Sequence, residues 1–501
     1  MYKETLNKDL SKLVQVETAT SETGRHFANV GLAVFFLAIV WVIANAVTSG
    51  LDNQAYIVAA GVIGGYMALN IGANDVANNV GPAVGAKSLT MFGALIIAAV
   101  FESAGALIAG GDVVSTISKG IINPALLPDT SLFVPAMMSA LLAAALWINI
   151  ATFVGAPVST THSIVGGVMG AGIAAAGLSV VDWVVMSKIA ASWVISPILG
   201  GIVAALFLAF VKSRIIYQED KIAGAKRWVP VLVALMAGVF SAYLCMKGLK
   251  RIWKPEPWMI IAIGAAIGAL AYIIVKPVIA KRAEGMENRN KSIRELFHIP
   301  LICAAALLSF AHGANDVANA VGPLAAIVDS ATTGVIAGTK VGIPTWVLFV
   351  GAAGISIGLF LFGPKLIRTV GGQITRLNPM RAYCVALSAA ITVIIATTLG
   401  LPVSSTHIAV GAIFGVGFYR EWQTARRTHI NHGKVKKIKK DKTGDNGEIG
   451  VEKVSFEENA KWRKLVRRQH LLTIVAAWLV TVPLSALLAA GILVIMQKTL
   501  L

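Results

Sequence analysis

The chain has 501 residues, 56% of them hydrophobic and only 14% charged, against roughly 25% charged in an ordinary soluble domain. Its mean hydropathy is +0.75 and its net charge +18. This composition excludes a soluble multidomain enzyme, a disulfide-stapled secreted scaffold and a disordered chain, and leaves an all-α polytopic membrane protein. Cys245, Cys303 and Cys384 are too widely spaced for a disulfide framework or a zinc site and read as small buried hydrophobes.

Residues 1–26 are polar and mixed in charge. The first apolar run, about 28–47, contains Ala44-Asn45-Ala46, which resembles a signal-peptidase triplet. The preceding segment is long and not net basic, and the run is long enough to span, so a retained helix is expected. Further apolar stretches lie near 54–71, 89–110, 132–155, 161–180, 184–211, 229–247 and 258–280. After a charged segment at 281–298 they resume near 299–311, 317–328, 333–363, 382–400 and 403–419, and the last lies near 470–496. Several are shorter than the ~20 residues of a full span. Ten to twelve spans with some broken helices are therefore expected.

Loops at 212–227, 281–298 and 420–469 are basic, which points to the cytoplasm. The segment 420–469 holds 15 Lys/Arg against 7 Asp/Glu. Beside membrane spans such a run marks a cytoplasmic loop, with anionic headgroups as candidate contacts, rather than a nucleic-acid site. Residues 248–257 are basic too, so both flanks of the span at 229–247 are cationic and sidedness stays open there. Lys87 and Lys188 sit near span ends and are expected to snorkel.

The strongest feature is a duplication. Gly72-Ala-Asn-Asp-Val-Ala-Asn-Asn-Val-Gly-Pro82 recurs as Gly313-Ala-Asn-Asp-Val-Ala-Asn-Ala-Val-Gly-Pro323, with ten of eleven positions identical at an offset of 241. Pro157-Val-Ser-Thr-Thr-His162 recurs as Pro402-Val-Ser-Ser-Thr-His407 at an offset of 245. Two ordered motifs at nearly one offset mark a duplicated unit. The expected division is 1–53 (N-terminus and first span), 54–211 (first repeat), 212–298 (connecting spans), 299–419 (second repeat), 420–469 (basic loop) and 470–501 (last span). Duplicated halves with polar, Gly/Pro-interrupted segments at matching positions point to a secondary transporter, its two breaks enclosing one site near the midplane.

Asp75 and Asp316 stand in apolar surroundings, where a carboxylate costs roughly 2.5–3.5 kcal/mol on insertion scales. No Lys or Arg lies inside either motif. A bound Na⁺ or a proton is the natural partner, and Asn74, Asn78, Asn315 and Asn319 supply amide oxygens suited to a hard cation. The bland reading of each motif is an Asn-Asp helix cap. Ser159, Thr160, Thr161 and Ser404, Ser405, Thr406 follow a proline at expected helix starts, where hydroxyls, free N–H groups and the positive dipole end converge on an anion. Pro-Ser/Thr capping alone is the alternative. His162 and His407 close these motifs, either as structural hydrogen-bonding residues or as direct proton or substrate contacts. Glu102, intramembrane and without a carboxylate counterpart in the second half, is either functional or bonded to a neighbouring helix. Gly354-Ile-Ser356-Ile-Gly358 matches a hydrolase pattern but lies in a long apolar run, where small residues serve helix packing. No phosphate-binding P-loop exists, so the chain is not expected to be an ATP-driven pump or an enzyme.

At these motifs the sequence resembles the PiT family of inorganic phosphate transporters, whose hallmark is a duplicated Gly-Ala-Asn-Asp signature. The resemblance covers roughly 54–419 and the last span. It implies two inverted repeats, a homodimer in the cell membrane, and cation-coupled phosphate uptake by alternating access. By that resemblance Asn74, Asp75, Asn78, Asn315, Asp316 and Asn319 fall on the cation-binding region, with Na⁺ at Asp75 and Asp316. Ser159, Thr160, Thr161, Ser404, Ser405 and Thr406 fall on the phosphate-binding region, with Glu102, His162 and His407 in support. No cofactor beyond Na⁺ or H⁺ as coupling ion is implied, and the partners are inorganic phosphate and membrane lipid, not nucleic acid. The intact signature and the Phe101-Glu102 pair look like the sodium-coupled members. Proton-coupled members, some carrying a metal–phosphate complex, often have His in place of the Asn, and sulfate permeases belong to the broader family. Physics favours coupling in any case. Importing one negative charge against 100 mV costs about 2.3 kcal/mol, whereas a tenfold phosphate gradient supplies about 1.4 kcal/mol.

Overall fold

The computed structural model describes residue 24 and residues 27–51, 53–127, 130–154, 158–248, 255–334, 342–369, 377–440 and 468–500. Pro157 and residues 441–467 of the basic loop lie outside them. The described chain is helical, with one isolated bridge pair, Ile122 with Val181. Eleven of the described helices are long and apolar enough to cross a membrane, within the expected ten to twelve.

In chain order these are α1 (Phe27–Val47), α2 (Gln54–Asn74), α3 (Val76–Gly85), α4 (Met91–Ala109), α5 (Gly111–Ser115), α6 (Thr130–Val154), α7 (Thr160–Ala176) and α8 (Trp183–Val211). Then come α9 (Lys221–Lys247), α10 (Pro257–Arg282), α11 (Asn290–Leu296), α12 (His298–Asp316), α13 (Ala318–Thr333), α14 (Thr345–Thr369), α15 (Pro379–Thr398), α16 (Ser405–Lys440) and α17 (Arg468–Leu500). Polar caps set many of the starts. Asp182 accepts from Val184 N and Val185 N, both at 3.0 Å, and Asn378 accepts from Arg381 N at 3.0 Å, just ahead of Pro379. Such caps satisfy backbone donors that lipid cannot.

The interruptions at the duplicated Asp motif are slight. Asp75 alone separates α2 from α3, and Val317 alone separates α12 from α13, each with backbone still right-handed helical (φ −86°, ψ −32° and φ −56°, ψ −30°). Residues 54–85 and 298–333 therefore each run as one long span. The larger breaks come at the Ser/Thr motifs, where Ser159 is extended before α7 and residues 399–404 are non-helical before α16.

Packing is reciprocal. Helix α2 lies against α14 and α12 against α4, while α7 lies against α17 and α16 against α8. Small residues permit the approach. A Cβ on Gly72 would fall 1.9 Å from Ile355 O, and one on Gly313 would fall 2.1 Å from Glu102 O. The first glycine of each signature is thus required by helix contact, in the manner of small-residue seams in membranes. The first helix also packs, through Phe36 and Val40 against Leu69 and Val350. Helices α1 and α10 and the described apolar part of α17 keep most of their surface outside the bundle, as lipid-facing helices do.

Three basic segments share one end of the bundle. Lys212 bonds Gln423, and Asn288 bridges Glu219 O (2.7 Å) and Lys221 N (2.9 Å), which joins the segments near 212–221, 283–289 and 420. The hydrolase-like Ser356 sits inside α14, bonded to Ser103 Oγ at 2.7 Å and donating to Ala99 O at 3.2 Å. It is a helix-packing serine, with none of the strand–turn–helix setting a nucleophile elbow needs.

Candidate functional site

The four copies of the two motifs meet in one buried centre. Asp75 is 2% exposed and Asp316 1%, and Asn78, Asn319, Thr160, Thr161, Ser405 and Thr406 are all buried with them. No lysine or arginine is buried among the described residues. Three buried carboxylates, those of Asp75, Glu102 and Asp316, therefore face no fixed buried cation other than histidine.

The contacts run both within the first half and crosswise between the halves. Thr160 Oγ1 donates to Asp75 Oδ2 at 2.6 Å, and Thr406 Oγ1 donates to Asp75 Oδ1 at 3.2 Å. Asn78 Nδ2 donates to Thr406 Oγ1 (2.8 Å), and Asn319 Nδ2 reaches Thr160 Oγ1 and Thr161 Oγ1 (both 3.2 Å). Each asparagine thus serves hydroxyls of the opposite half. The sequence separates a cation region from an anion region. The structure brings the two motif regions into contact, the Thr160 and Thr406 hydroxyls bonding the Asp75 carboxylate directly.

Other expected site residues do different work. Ser159 and Ser404 cap α7 and α16, accepting from His162 N (3.1 Å) and His407 N (3.3 Å). Ser405 Oγ lies at the outer limit of bonding distance from Asp316 Oδ2, 3.5 Å. Asn315 donates to Thr397 Oγ1 (2.9 Å) and Leu401 O (3.2 Å) and accepts from Val403 N (3.3 Å), tying the end of α15 to the start of α16. Asn74 makes the matching contact in the first half, 2.9 Å from Thr152 Oγ1, and with its amide turned it faces Asp75 Oδ1 at 3.3 Å. His162 and His407 meet with ring centroids 4.5 Å apart, and Trp193 packs on His162 at 3.8 Å. Neither ring nitrogen of His162 is hydrogen-bonded, so it acts by packing in this arrangement.

Sequence reasoning passed over two residues. His312 lies one turn before Asp316 on α12. Its Nδ1 is 2.6 Å from Glu102 Oε2 and its Nε2 is 2.8 Å from Asp316 Oδ2. Asn79 Nδ2 donates to Glu102 Oε1 at 2.7 Å. The signal was present: Asn79 opposite Ala320 is the single mismatch between the duplicated signatures, and Glu102 has no second-half counterpart. The two irregularities are one network, Asn79–Glu102–His312–Asp316, built on one side only. Buried oxygens remain unsatisfied nearby, Asp316 Oδ1 and Asn319 Oδ1. Orphaned buried acceptors call for a donor or a cation.

What the arrangement can do follows from its parts. The N-termini of α7 and α16 converge, with Thr161 Oγ1 donating across to Val403 O (3.0 Å), so two positive dipole ends face a common space. Carboxylates and amide oxygens beside them suit a hard cation. The fold and the centre define a class: a polytopic all-α membrane transporter with one buried polar site assembled from two motif pairs. Similarity to known proteins gives the family. Residues 71–489 match the Phosphate transporter family. The chain is 46% identical over 519 residues to a "Putative phosphate permease" of Helicobacter pylori, covering 96% of this chain and 97% of that one. It is 41% identical over 359 residues to a protein of the same description from Pyrococcus furiosus, covering 72% and 86%. The solved structure of a protein described as "The sodium-dependent phosphate transporter" is similar at a TM-score of 0.76 and 34% identity, covering 89% of this chain and all of that one. The chain belongs to the phosphate transporter family, and is a multi-pass membrane transporter rather than an enzyme.

Proposed function

We infer that the protein is a secondary symporter that couples inorganic phosphate to Na⁺ by alternating access. The observation that carries this reading is the single buried centre in which both Asp motifs and both Ser/Thr-capped helix starts converge. Na⁺ is held by Asp75 and Asp316 with oxygens of Asn78 and Asn319. Phosphate is received at the starts of α7 and α16, where Thr160, Thr161, Ser405 and Thr406 exchange their carboxylate contacts for phosphate oxygens. Asn74 and Asn315 hold the helix ends that frame the site. Likeness to a sodium-dependent phosphate transporter favours Na⁺ over a proton as coupling ion. The reciprocal packing of α2 on α14 and α12 on α4 supports two inverted repeats, 54–211 and 299–419, rocking about this centre. By this reading the protein works as a homodimer in the cell membrane, with the basic end of the bundle in the cytoplasm.

The test is uptake of labelled phosphate, with labelled sulfate in parallel, into proteoliposomes under an imposed Na⁺ or proton gradient. Phosphate accumulation driven by Na⁺ is expected. Accumulation driven only by protons would keep the site and reassign the carboxylates to proton carriage. Sulfate accumulation alone would overturn the substrate.

A further inference from the structure

The asymmetry of the centre carries more than Na⁺ coupling requires. Sodium and other hard cations are served by oxygens alone. Here a neutral-ligand nitrogen has been placed among them. His312 and Asp316 are four residues apart on α12 and so share one face of the helix. Asp75 arrives from the other half. One ligand atom from each of Asp75, His312 and Asp316 lies within 4.8 Å of the others, and all three residues are buried.

The orientation of the imidazole is fixed from behind. Glu102 accepts Asn79 Nδ2–H at Oε1 (2.7 Å) and stands 2.6 Å from His312 Nδ1 at Oε2. A carboxylate in that position accepts from Nδ1 and so turns Nε2 toward Asp316. Nε2 and Asp316 Oδ2 then stand 2.8 Å apart. Two such atoms at that distance share a positive charge, which is a proton on Nε2 or a metal ion in its place. A carboxylate behind the imidazole of a ligating histidine is the recurrent outer-shell support of transition-metal sites. In a tetrahedral zinc site, with bonds of about 2.0–2.2 Å, ligand atoms sit roughly 3–3.5 Å apart, which three side chains already within reach attain by small movements. The unsatisfied Oδ1 of Asp316 offers a further oxygen.

We propose that Asp75, His312 and Asp316 form a binding site for a borderline divalent cation of the Zn²⁺ class, with Glu102 and Asn79 orienting His312, and that this cation competes with the coupling ion. The inference rests on the placement of a cation at Asp75 and Asp316 in the function given above, but not on which ion drives transport. It makes the cation site selective in a way the motif pair alone does not: imidazole raises affinity for zinc and cobalt far more than for sodium or magnesium.

The experiment is direct binding to tag-free purified protein in sodium-free, phosphate-free buffer. Zn²⁺ is titrated by equilibrium dialysis, and Co²⁺ is used as an optical probe of ligand geometry. One Zn²⁺ per chain, displaced by added Na⁺, and a cobalt visible spectrum of tetrahedral type are expected. His312→Gln should abolish both signals, and Glu102→Gln should weaken zinc binding by about 10–100-fold while stoichiometry is kept. Size-exclusion profiles and thermal melts of the variants establish that they fold. If His312→Gln fails to fold, Glu102→Gln and the Na⁺ competition carry the decision. Zinc binding and a cobalt spectrum indifferent to His312→Gln, or lost instead in His407→Gln, would overturn the site and leave His312 as an ion-paired bridge between Glu102 and Asp316. Absence of zinc binding in the unmutated protein, with its Na⁺-driven uptake present, overturns this inference alone. Loss of Na⁺-driven uptake with zinc binding intact overturns the symport reading alone.

Discussion

At the scale of single residues, the two signature aspartates are not equivalent. Asp75 is satisfied by two threonine hydroxyls, whereas Asp316 faces His312 and keeps one oxygen unsatisfied. Asp75→Asn and Asp316→Asn should each abolish phosphate uptake in proteoliposomes while size-exclusion behaviour is unchanged. Wild-type rates in either variant would remove the cation assignment. Asn79 gives a stability prediction. Its removal in Asn79→Ala strands Glu102 Oε1, at a cost of about 1–3 kcal/mol, seen as a lower thermal midpoint in detergent. Ala320→Asn, at the matching position, introduces no such partner and should bring no compensating gain. The duplicated motifs are legible because residue identity repeats. His312 is not, because it precedes the signature by one residue and its partner Glu102 comes from another helix. Only the mismatch at Asn79 and the unmatched Glu102 mark the network, and their connection is a fact of packing rather than of spacing.

At the scale of elements, hydropathy locates the spans but misreads their continuity. Asn74, Asp75, Asn78 and Asn79 interrupt an apolar run without interrupting the helix, since their polar groups are satisfied by Thr152, Thr160, Thr406 and Glu102 from elsewhere. The polar stretch therefore reads as a gap in sequence and as a one-residue hitch in space. The proline-led Ser/Thr motifs, by contrast, do stop helices, and there the sequence signal and the backbone agree. In sequence the glycines of the signature look like companions of a polar site. Their contacts show that they set helix separation. Gly72→Ala would put a methyl group 1.9 Å from Ile355 O, so α2 and α14 must part. The expected cost is about 1–3 kcal/mol or more, with reduced uptake because the Asp75 end of α2 shifts with it. Gly491→Ala on α17 meets nothing within 4 Å and is the control that should leave both thermal midpoint and uptake unchanged.

At the scale of the whole molecule, the centre sets an order of events. On the proposed function, phosphate approaches a buried region that holds Asp75, Glu102 and Asp316 with no buried lysine or arginine among the described residues. Two like unit charges about 5 Å apart repel by about 3 kcal/mol at an effective dielectric of 20, a factor of roughly 200 in affinity for each uncompensated pair. The converging N-termini of α7 and α16 contribute an attraction of about 0.3–2 kcal/mol each, too little to offset two or three such repulsions. On the proposed function, cations are therefore expected to load before the anion and to release the threonine hydroxyls from Asp75 for phosphate. The expectation is that phosphate affinity, measured by isothermal titration in detergent, falls at least tenfold when Na⁺ is replaced by choline at constant ionic strength. Thermodynamic reciprocity then requires phosphate to tighten Na⁺ binding by the same factor. Phosphate affinity indifferent to Na⁺ would mean that the anion never meets the carboxylates, and would separate the two motif regions that this fold brings together.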